Sequence, residues 1–150
     1  EEHTGIQDRK EYGFIQVADG KRADPTKDWW QVKVLPFVLN FVCRHRKKRI
    51  LFHCTRGDTR APALVAAVLA ALCDNQGNFR EERAAHRTLL SKEDLRRSMV
   101  TVQRYHPYCA VPRRIMQELN RFFVTSGGGW TKWNFDEEFI TDKMAIVCPK

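Results

Sequence analysis

One short segment, residues 54–60, limits what this chain can fold into more than any other feature. Cys54 and Arg60 stand at its two ends with five residues between them. The apolar run at 50–53 is too short for a helix and predicts a buried strand. Residues 61–73 are rich in Ala and Leu and predict a helix. The order of strand, loop and helix therefore predicts an α/β domain in which the loop ends at a helix N-terminus.

The residue types in this loop suit an anion. A helix N-terminus offers unpaired N–H groups and the positive end of the dipole, which also favour the thiolate form of a nearby cysteine. Gly57 allows the backbone to curl so that successive N–H groups point inward. Arg60 carries a planar fork that matches two phosphate oxygens. The predicted phosphate-binding residues are Cys54, Thr55, Arg56, Gly57, Asp58, Thr59 and Arg60.

Two further interpretations concern the surroundings of the loop. His53 directly precedes the cysteine and could orient the loop by hydrogen bonding to its backbone carbonyls. The plainer alternative is a structural cysteine beside an unrelated arginine. The apolar run before the loop and the helix after it favour the anion site over that alternative.

The rest of the chain alternates helical and polar segments. Residues 13–18 predict a short strand, and residues 30–45 predict a helix with Pro36 in its first turn. Residues 44–49 form a basic cluster that suits the C-terminal end of that helix. Residues 75–91 read as a mobile basic connection.

The C-terminal half contains two more predicted helices. Ser91 and Asp94 have the spacing of a capping box, which starts a helix that runs to about Tyr105. Pro112 opens the last helix, whose apolar residues recur on one face. Glycines at 127–129 then interrupt the chain, and the aromatic residues of the tail could hold it against the domain.

Length and composition fit a single globular domain. The chain has 150 residues, of which 43% are hydrophobic and 29% charged. We expect a domain at 1–125 and a C-terminal tail at 126–150 that packs on it or extends from it. No apolar run reaches bilayer-spanning length, and the polar N-terminus is unlike a signal peptide.

The net charge and the cysteines indicate which kinds of ligand and site to expect. The net charge of +8 attracts anions such as phosphates or nucleic acid, although a solvated basic surface is the plainer alternative. The five cysteines are odd in number and include no C-x-x-C pair, so neither a metal site nor a disulfide framework is expected. Scattered thiols are typical of a reduced intracellular compartment. No cofactor is indicated.

The spacing of Cys54 and Arg60 resembles the signature of the protein-tyrosine and dual-specificity phosphatase superfamily. The resemblance implies a protein-tyrosine-phosphatase-like α/β domain with a central, mostly parallel sheet flanked by helices. It also implies that Cys54 attacks phosphorus to form a cysteinyl-phosphate while Arg60 holds the phosphoryl oxygens.

Two departures from that pattern bear on catalysis. The residue after Arg60 is Ala61, where the phosphatases usually have Ser or Thr. A general acid is also needed, and no clear acid-loop motif is present. The candidates upstream are Asp19, Asp24 and Asp28, of which Asp24 lies nearest the expected place, and Asp58 within the loop is another.

A longer stretch, about 14–123, resembles the C-terminal, dual-specificity-phosphatase-like domain of initiator-tRNA phosphoribosyltransferases. The resemblance rests on the order of several short motifs, among them residues 20–22, 50–54, 91–96, 105–107 and 112–114. It implies a cytoplasmic protein whose partners are initiator tRNA and a phosphoribosyl donor. The residues expected to meet RNA phosphates are Arg96, Arg97, Arg104, Arg113 and Arg114, with ordinary helix solvation as the alternative.

Three functional hypotheses follow. The favoured one is a phosphate-binding domain of an initiator-tRNA 2′-O-ribosylphosphate transferase. The second is an active cysteine-dependent phosphatase. The third is a non-catalytic phosphate-binding module.

Overall fold

The computed structural model describes residues 30–133 of the chain. The predicted strand at 13–18 and the upstream acid candidates Asp19, Asp24 and Asp28 lie outside the described residues. So do Cys148 and the part of the tail from 134 onward. The expected division into 1–125 and 126–150 stays a prediction.

Between residues 30 and 133 the architecture is a set of packed helices. A π-helical turn leads into the first α-helix, and five further α-helices follow. The bounds are Trp30–Val34 for the π-helical turn, then α1 Leu35–Arg44, α2 Arg60–Leu72, α3 Glu81–His86, α4 Lys92–Tyr105, α5 Arg113–Phe123 and α6 Gly129–Lys132.

The predicted central parallel sheet is wrong for the part of the chain that the structure describes. Residues 50–53 have no regular secondary structure and pair with no strand within 30–133, where the one β contact is an isolated bridge between Cys73 and Phe79. Nor is the segment buried on both sides, since Ile50 and Phe52 pack against the core while Leu51 is 83% exposed. A strand gains its stability from a hydrogen-bonded neighbour, and a short apolar run cannot specify that neighbour.

Helix α2 lies at the centre of the described fold and packs against α1, α3, α4 and α5. Ten of its residues are buried, most of them alanine. Small side chains let the neighbouring helices approach closely from several directions, and alanine has the highest helix propensity. The sequence prediction of a helix over 61–73 is therefore confirmed to within one residue at each end.

Local signals placed the other helix starts well. Pro36 lies in the first turn of α1, the Ser91 and Asp94 capping box opens α4, and Pro112 directly precedes α5. The connection at 75–91, which was predicted to be mobile, contains α3 and begins with a turn built on Asp74. The Asp74 carboxylate accepts the backbone N–H groups of Gln76 and Asn78, each at 2.9 Å.

Part of the tail packs into the same core. The Trp130 and Trp133 side chains are buried with Phe122 and Phe123 from α5. The Trp130 indole N–H donates to the Thr88 carbonyl at 3.0 Å, which satisfies the polar end of a buried ring. The expected aromatic contact of the tail is thus present for these two residues.

Candidate functional site

The site is built around the N-terminus of α2. Residues 55–59 bend in succession directly before α2, and we call residues 54–60 the cysteine loop. Gly57 has a φ of +73°, which lies in the left-handed region that side chains rarely adopt. Thr59, at the N-cap of α2, makes no side-chain cap. The first N–H groups of α2 are therefore not used by a capping side chain.

The Cys54 thiol occupies the position that a cap would take. Its Sγ accepts the backbone N–H of Ala61 at 3.4 Å. Partial burial alone would raise the pKa of Cys54, but hydrogen bonds from the surrounding backbone outweigh burial and hold the pKa below its ordinary value. The donors are the backbone N–H groups of Ala61, Gly57, Thr59 and Arg60.

The carbonyl groups of the loop point the other way, toward the connection between α4 and α5. The His106 Nε2 lies 2.8 Å from the Gly57 carbonyl oxygen, and the Ala110 N–H donates to the Asp58 carbonyl at 2.8 Å. Because a carbonyl only accepts, Nε2 carries the proton in this contact. Because the carbonyls of Gly57 and Asp58 point away from the thiol, the neighbouring N–H groups are favoured to point toward the Cys54 Sγ.

Among the described residues, His106 thus has the orienting role that the sequence analysis assigned to His53. His53 is exposed, and no hydrogen bond joins its side chain to any residue within 30–133. In the sequence, His106 stood out only as part of the short motif at 105–107. It lies 49 residues from Gly57, so no local pattern indicated the contact.

The charged side chains of the loop differ in their surroundings. Arg60 is the first residue of α2 and is half-buried. Arg56 is exposed, and its Nε lies 3.7 Å from the Asp58 Oδ2. The Asp58 Oδ1 is buried without a hydrogen-bond partner. Asp58 thus lies within the cysteine loop with a half-buried carboxylate, whereas the place of Asp24 lies outside the described residues.

A groove of about 960 Å³ runs between α2 and α4 and begins at the cysteine loop. We call it the α2–α4 groove. Gly57, His53 and Ala61 line its loop end, and Asp74 and Gly77 line its far end. Neither Cys54 nor Arg60 is among its lining residues, so the groove adjoins the loop and is not the thiol pocket itself.

The structure divides the five arginines predicted to contact RNA. Arg97 and Arg104 line the α2–α4 groove, together with Arg83, which the sequence analysis did not select. Arg96 is exposed on another part of α4, where it pairs with Glu93 at 3.1 Å. Arg113 and Arg114 begin α5 on exposed positions that do not line the groove. Arg97 and Arg104 are seven residues apart, which places them on one face of α4.

The other described thiols behave differently from Cys54. Burial raises the pKa of Cys43 to about 12, with Arg46 lowering it in part. Burial also raises the pKa of Cys73, and the neighbouring Asp74 adds to that effect. Cys43, Cys54, Cys73 and Cys109 are all free cysteines. Among Cys43, Cys54 and Cys73, only Cys54 has a lowered pKa, so it is the thiol of the three that ionises most readily.

Two features are absent from residues 30–133. No group of three or more His, Cys, Asp or Glu side chains in this part could hold a metal ion. No helix described here has the length and apolar content needed to cross a bilayer.

Comparison with known families identifies the domain. The family model for the Rit1 DUSP-like domain of initiator-tRNA phosphoribosyltransferase matches residues 30–123. This chain belongs to that family. No curated protein and no solved structure gave a significant match.

The matched stretch of the Rit1 DUSP-like domain contains the whole candidate site. It includes the cysteine loop, the α2–α4 groove and the connection that carries His106. Membership relates the chain to tRNA phosphoribosyltransferase and hence to tRNA modification. The resemblance to initiator-tRNA phosphoribosyltransferases, predicted over about 14–123, is confirmed over residues 30–123.

Proposed function

We propose that this Rit1 DUSP-like domain binds phosphate in its cysteine loop as part of an initiator-tRNA 2′-O-ribosylphosphate transferase. The observation that carries the proposal is the hydrogen bond from the Ala61 N–H to the Cys54 Sγ, 3.4 Å long, at a helix N-terminus whose N-cap residue makes no side-chain cap. The neighbouring backbone N–H groups of the loop add to it and lower the pKa of Cys54. An oxyanion needs the same donors and the same dipole end. The bound phosphate belongs either to tRNA or to the phosphoribosyl donor.

Arg60 is the loop residue best able to set the geometry of a bound phosphate. It begins α2, next to the donors that surround the thiol. Its guanidinium can contact two phosphate oxygens at once, which a backbone N–H cannot do alone. The loop residues from Thr55 to Thr59 contribute through their backbone.

The basic surface supplies the second part of the proposal. Lys and Arg together number 26 against 18 acidic residues in the whole chain. Phosphate contacts of this kind provide affinity without sequence information, so they suit docking of a tRNA backbone. The arginines proposed for this contact are Arg96, Arg97, Arg104, Arg113 and Arg114. A cytoplasmic location and the absence of membrane contact stay predictions.

One observation favours a second function, that of a cysteine-dependent phosphatase. The lowered pKa of Cys54 makes a thiolate available for attack on phosphorus. In that reaction a sulfur–phosphorus bond forms as the bond between phosphorus and the leaving oxygen breaks, and that oxygen takes a proton from an acid, either Asp58 or Asp24. Water then cleaves the cysteinyl-phosphate and releases inorganic phosphate. Ala61 stands where the phosphatases usually have a hydroxyl that helps the thiolate leave, so we expect turnover to be weak.

The test is a calorimetric titration of the 150-residue chain with inorganic phosphate and with tungstate. Arg60→Ala should abolish binding of both ions, because the fork that spans two oxygens is gone. Arg44→Ala removes an exposed cation at the end of α1, away from the cysteine loop, and should leave both affinities unchanged. Unchanged affinity in Arg60→Ala would rule out the loop as the phosphate site.

An assay with an aryl phosphate separates the two functions. Slow or absent hydrolysis together with Arg60-dependent phosphate binding supports the transferase domain. Rapid hydrolysis that Cys54→Ser and Asp24→Ala both eliminate would instead establish the phosphatase.

A further inference from the structure

Two tyrosines near the cysteine loop are almost fully exposed. Tyr105 is 85% exposed and Tyr108 is 87% exposed. Both lie in or beside the connection that contacts the loop through His106 and Ala110. An exposed aromatic face beside an anion site is a feature that the phosphate-binding role alone does not explain.

Only one of the two tyrosines faces the α2–α4 groove. Tyr105 lines the groove next to His106, whereas Tyr108 is not among its lining residues. Tyr105 is the last residue of α4, and the next residue is hydrogen-bonded to Gly57 of the loop. A ligand with one group in the loop could therefore place its neighbouring group against the Tyr105 ring.

The groove carries more positive than negative charge. Arg83, Arg97 and Arg104 line it, against Asp74 and Asp94. Both carboxylates already accept hydrogen bonds. The Asp74 Oδ2 pairs with Arg80 at 2.6 Å, and the Asp94 Oδ2 accepts the Ser91 N–H at 2.8 Å. The remaining field of the groove favours an anionic ligand.

We propose that the α2–α4 groove binds the nucleotide that adjoins the phosphate in the cysteine loop, with its base stacked on Tyr105. The neighbouring phosphates then lie against Arg97 and Arg104, seven residues apart on one face of α4 and so about 10 Å apart along its axis. This inference rests on the proposed function and deepens it, because it assigns the phosphate in the loop to an RNA strand.

Aromatic stacking together with cationic side chains is how proteins hold single-stranded nucleic acid. A sugar-phosphate donor has no base to cover Tyr105, so it would leave the exposed ring and the far part of the groove unused. The observations therefore favour an oligonucleotide over a phosphoribosyl donor as the ligand of the α2–α4 groove.

The experiment uses the 150-residue chain and three probes at low salt: inorganic phosphate, ribose 5-phosphate and a 5′-phosphorylated adenosine trinucleotide. The trinucleotide should bind more tightly than ribose 5-phosphate. Tyr105→Ala should weaken the trinucleotide by about fivefold or more, which corresponds to the lower range of base stacking on aromatic side chains. Inorganic phosphate should bind the variant as it binds the wild type.

Two matched variants separate stacking from a general effect of the substitution. Tyr105→Phe keeps the ring and should retain trinucleotide affinity. Tyr108→Ala removes an equally exposed ring that lies off the groove and should change nothing. Far-UV circular dichroism checks that each variant keeps the helical fold.

Several results would overturn the inference. These are absent trinucleotide binding, equal affinities for trinucleotide and ribose 5-phosphate, and equal losses in Tyr105→Ala and Tyr108→Ala. A different result would contradict the proposed function, namely phosphate binding that is unchanged in Arg60→Ala. In that case the affinities of wild type and Tyr105→Ala for the trinucleotide still show whether the base stacks on Tyr105.

Discussion

The N-termini of α2 and α4 differ in what accepts their first backbone N–H groups. Each presents N–H groups that have no partner within its own helix. At α4 the Ser91 Oγ accepts the Asp94 N–H at 3.1 Å, and the Asp94 carboxylate accepts the Ser91 N–H at 2.8 Å. At α2 no side chain caps the helix, and the N–H groups surround the Cys54 thiol instead.

Charge strengthens the contrast between the two helix ends. The first turn of α4 contains Glu93 and Asp94, which complement the dipole and repel a further anion. The first turn of α2 has no acidic residue and begins with Arg60. A helix end becomes an anion site only when its own side chains leave it open, and α2 meets that condition while α4 does not.

The largest expected effect concerns thiol reactivity at the open end of α2. Iodoacetamide at mildly acidic pH should modify Cys54 far faster than Cys43, whose pKa burial raises to about 12. A gap of three pKa units or more is about a thousandfold in thiolate fraction, and the lower nucleophilicity of the more acidic thiol offsets roughly half of it on a logarithmic scale. We expect a rate ratio of at least about thirtyfold, measured by peptide mass spectrometry.

The buried Cys73, just beyond the other end of α2, is the internal control for that experiment. It lies near helix carbonyls rather than N–H groups, and burial together with Asp74 raises its pKa. Labelling of Cys73 as fast as Cys54 would show that the loop does not stabilise the thiolate.

The second prediction tests what holds the N–H groups inward. His106→Ala removes the contact to the Gly57 carbonyl, so the loop should relax and the pKa of Cys54 should rise. The rise should be up to about one unit, since a hydrogen bond contributes about 0.5–1.5 kcal/mol. The pH profile of Cys54 alkylation measures the shift.

His106→Gln keeps an N–H donor at this position and should restore most of the wild-type profile. His86→Ala removes an exposed histidine of α3 and serves as the matched control. An unchanged profile in His106→Ala would mean that the contact does not orient the loop.

The smallest effect is expected at the closed end of α4. Ser91→Ala removes the capping side chain and should lower the free energy of unfolding by about 1 kcal/mol, while Cys54 alkylation stays unchanged. Ser126→Ala, at an exposed turn position, should leave stability as it is. Chemical denaturation of both variants gives the comparison, and a change in Cys54 reactivity in Ser91→Ala would contradict the independence of the two helix ends.

The capping contribution should also depend on pH. The Ser91 backbone N–H, with the Ser91 hydroxyl, holds the pKa of Asp94 below its ordinary value. A carboxyl with a lowered folded-state pKa stabilises the fold above its unfolded-state pKa, and the contribution is lost as pH falls through the folded-state value. The difference between wild type and Ser91→Ala should therefore shrink in acid.

Local sequence signals predicted α1, α2, α4 and α5, missed the short helices α3 and α6, and failed for the sheet within residues 30–133. Pro36, Ser91 and Pro112 each act within one turn of the chain, so their meaning survives without knowledge of the fold. Residues 50–53 alternate in exposure, as a strand would. A strand also requires a partner, however, and no described residue pairs with it. Its apolar composition indicated extended backbone but could not supply the neighbour.

The candidate site shows the same division. The sequence by itself determined the cysteine and arginine at the start of an alanine-rich helix, because that arrangement depends only on residues 54–72. Tertiary structure alone decided that His106 and Ala110 hold the loop carbonyls outward, and that Arg97, Arg104 and Tyr105 border a common groove while Arg113 and Arg114 do not. These contacts join residues about fifty positions apart, and their formation depends on how α4 packs against α2. That packing follows from the summed burial of many side chains, which no short motif encodes.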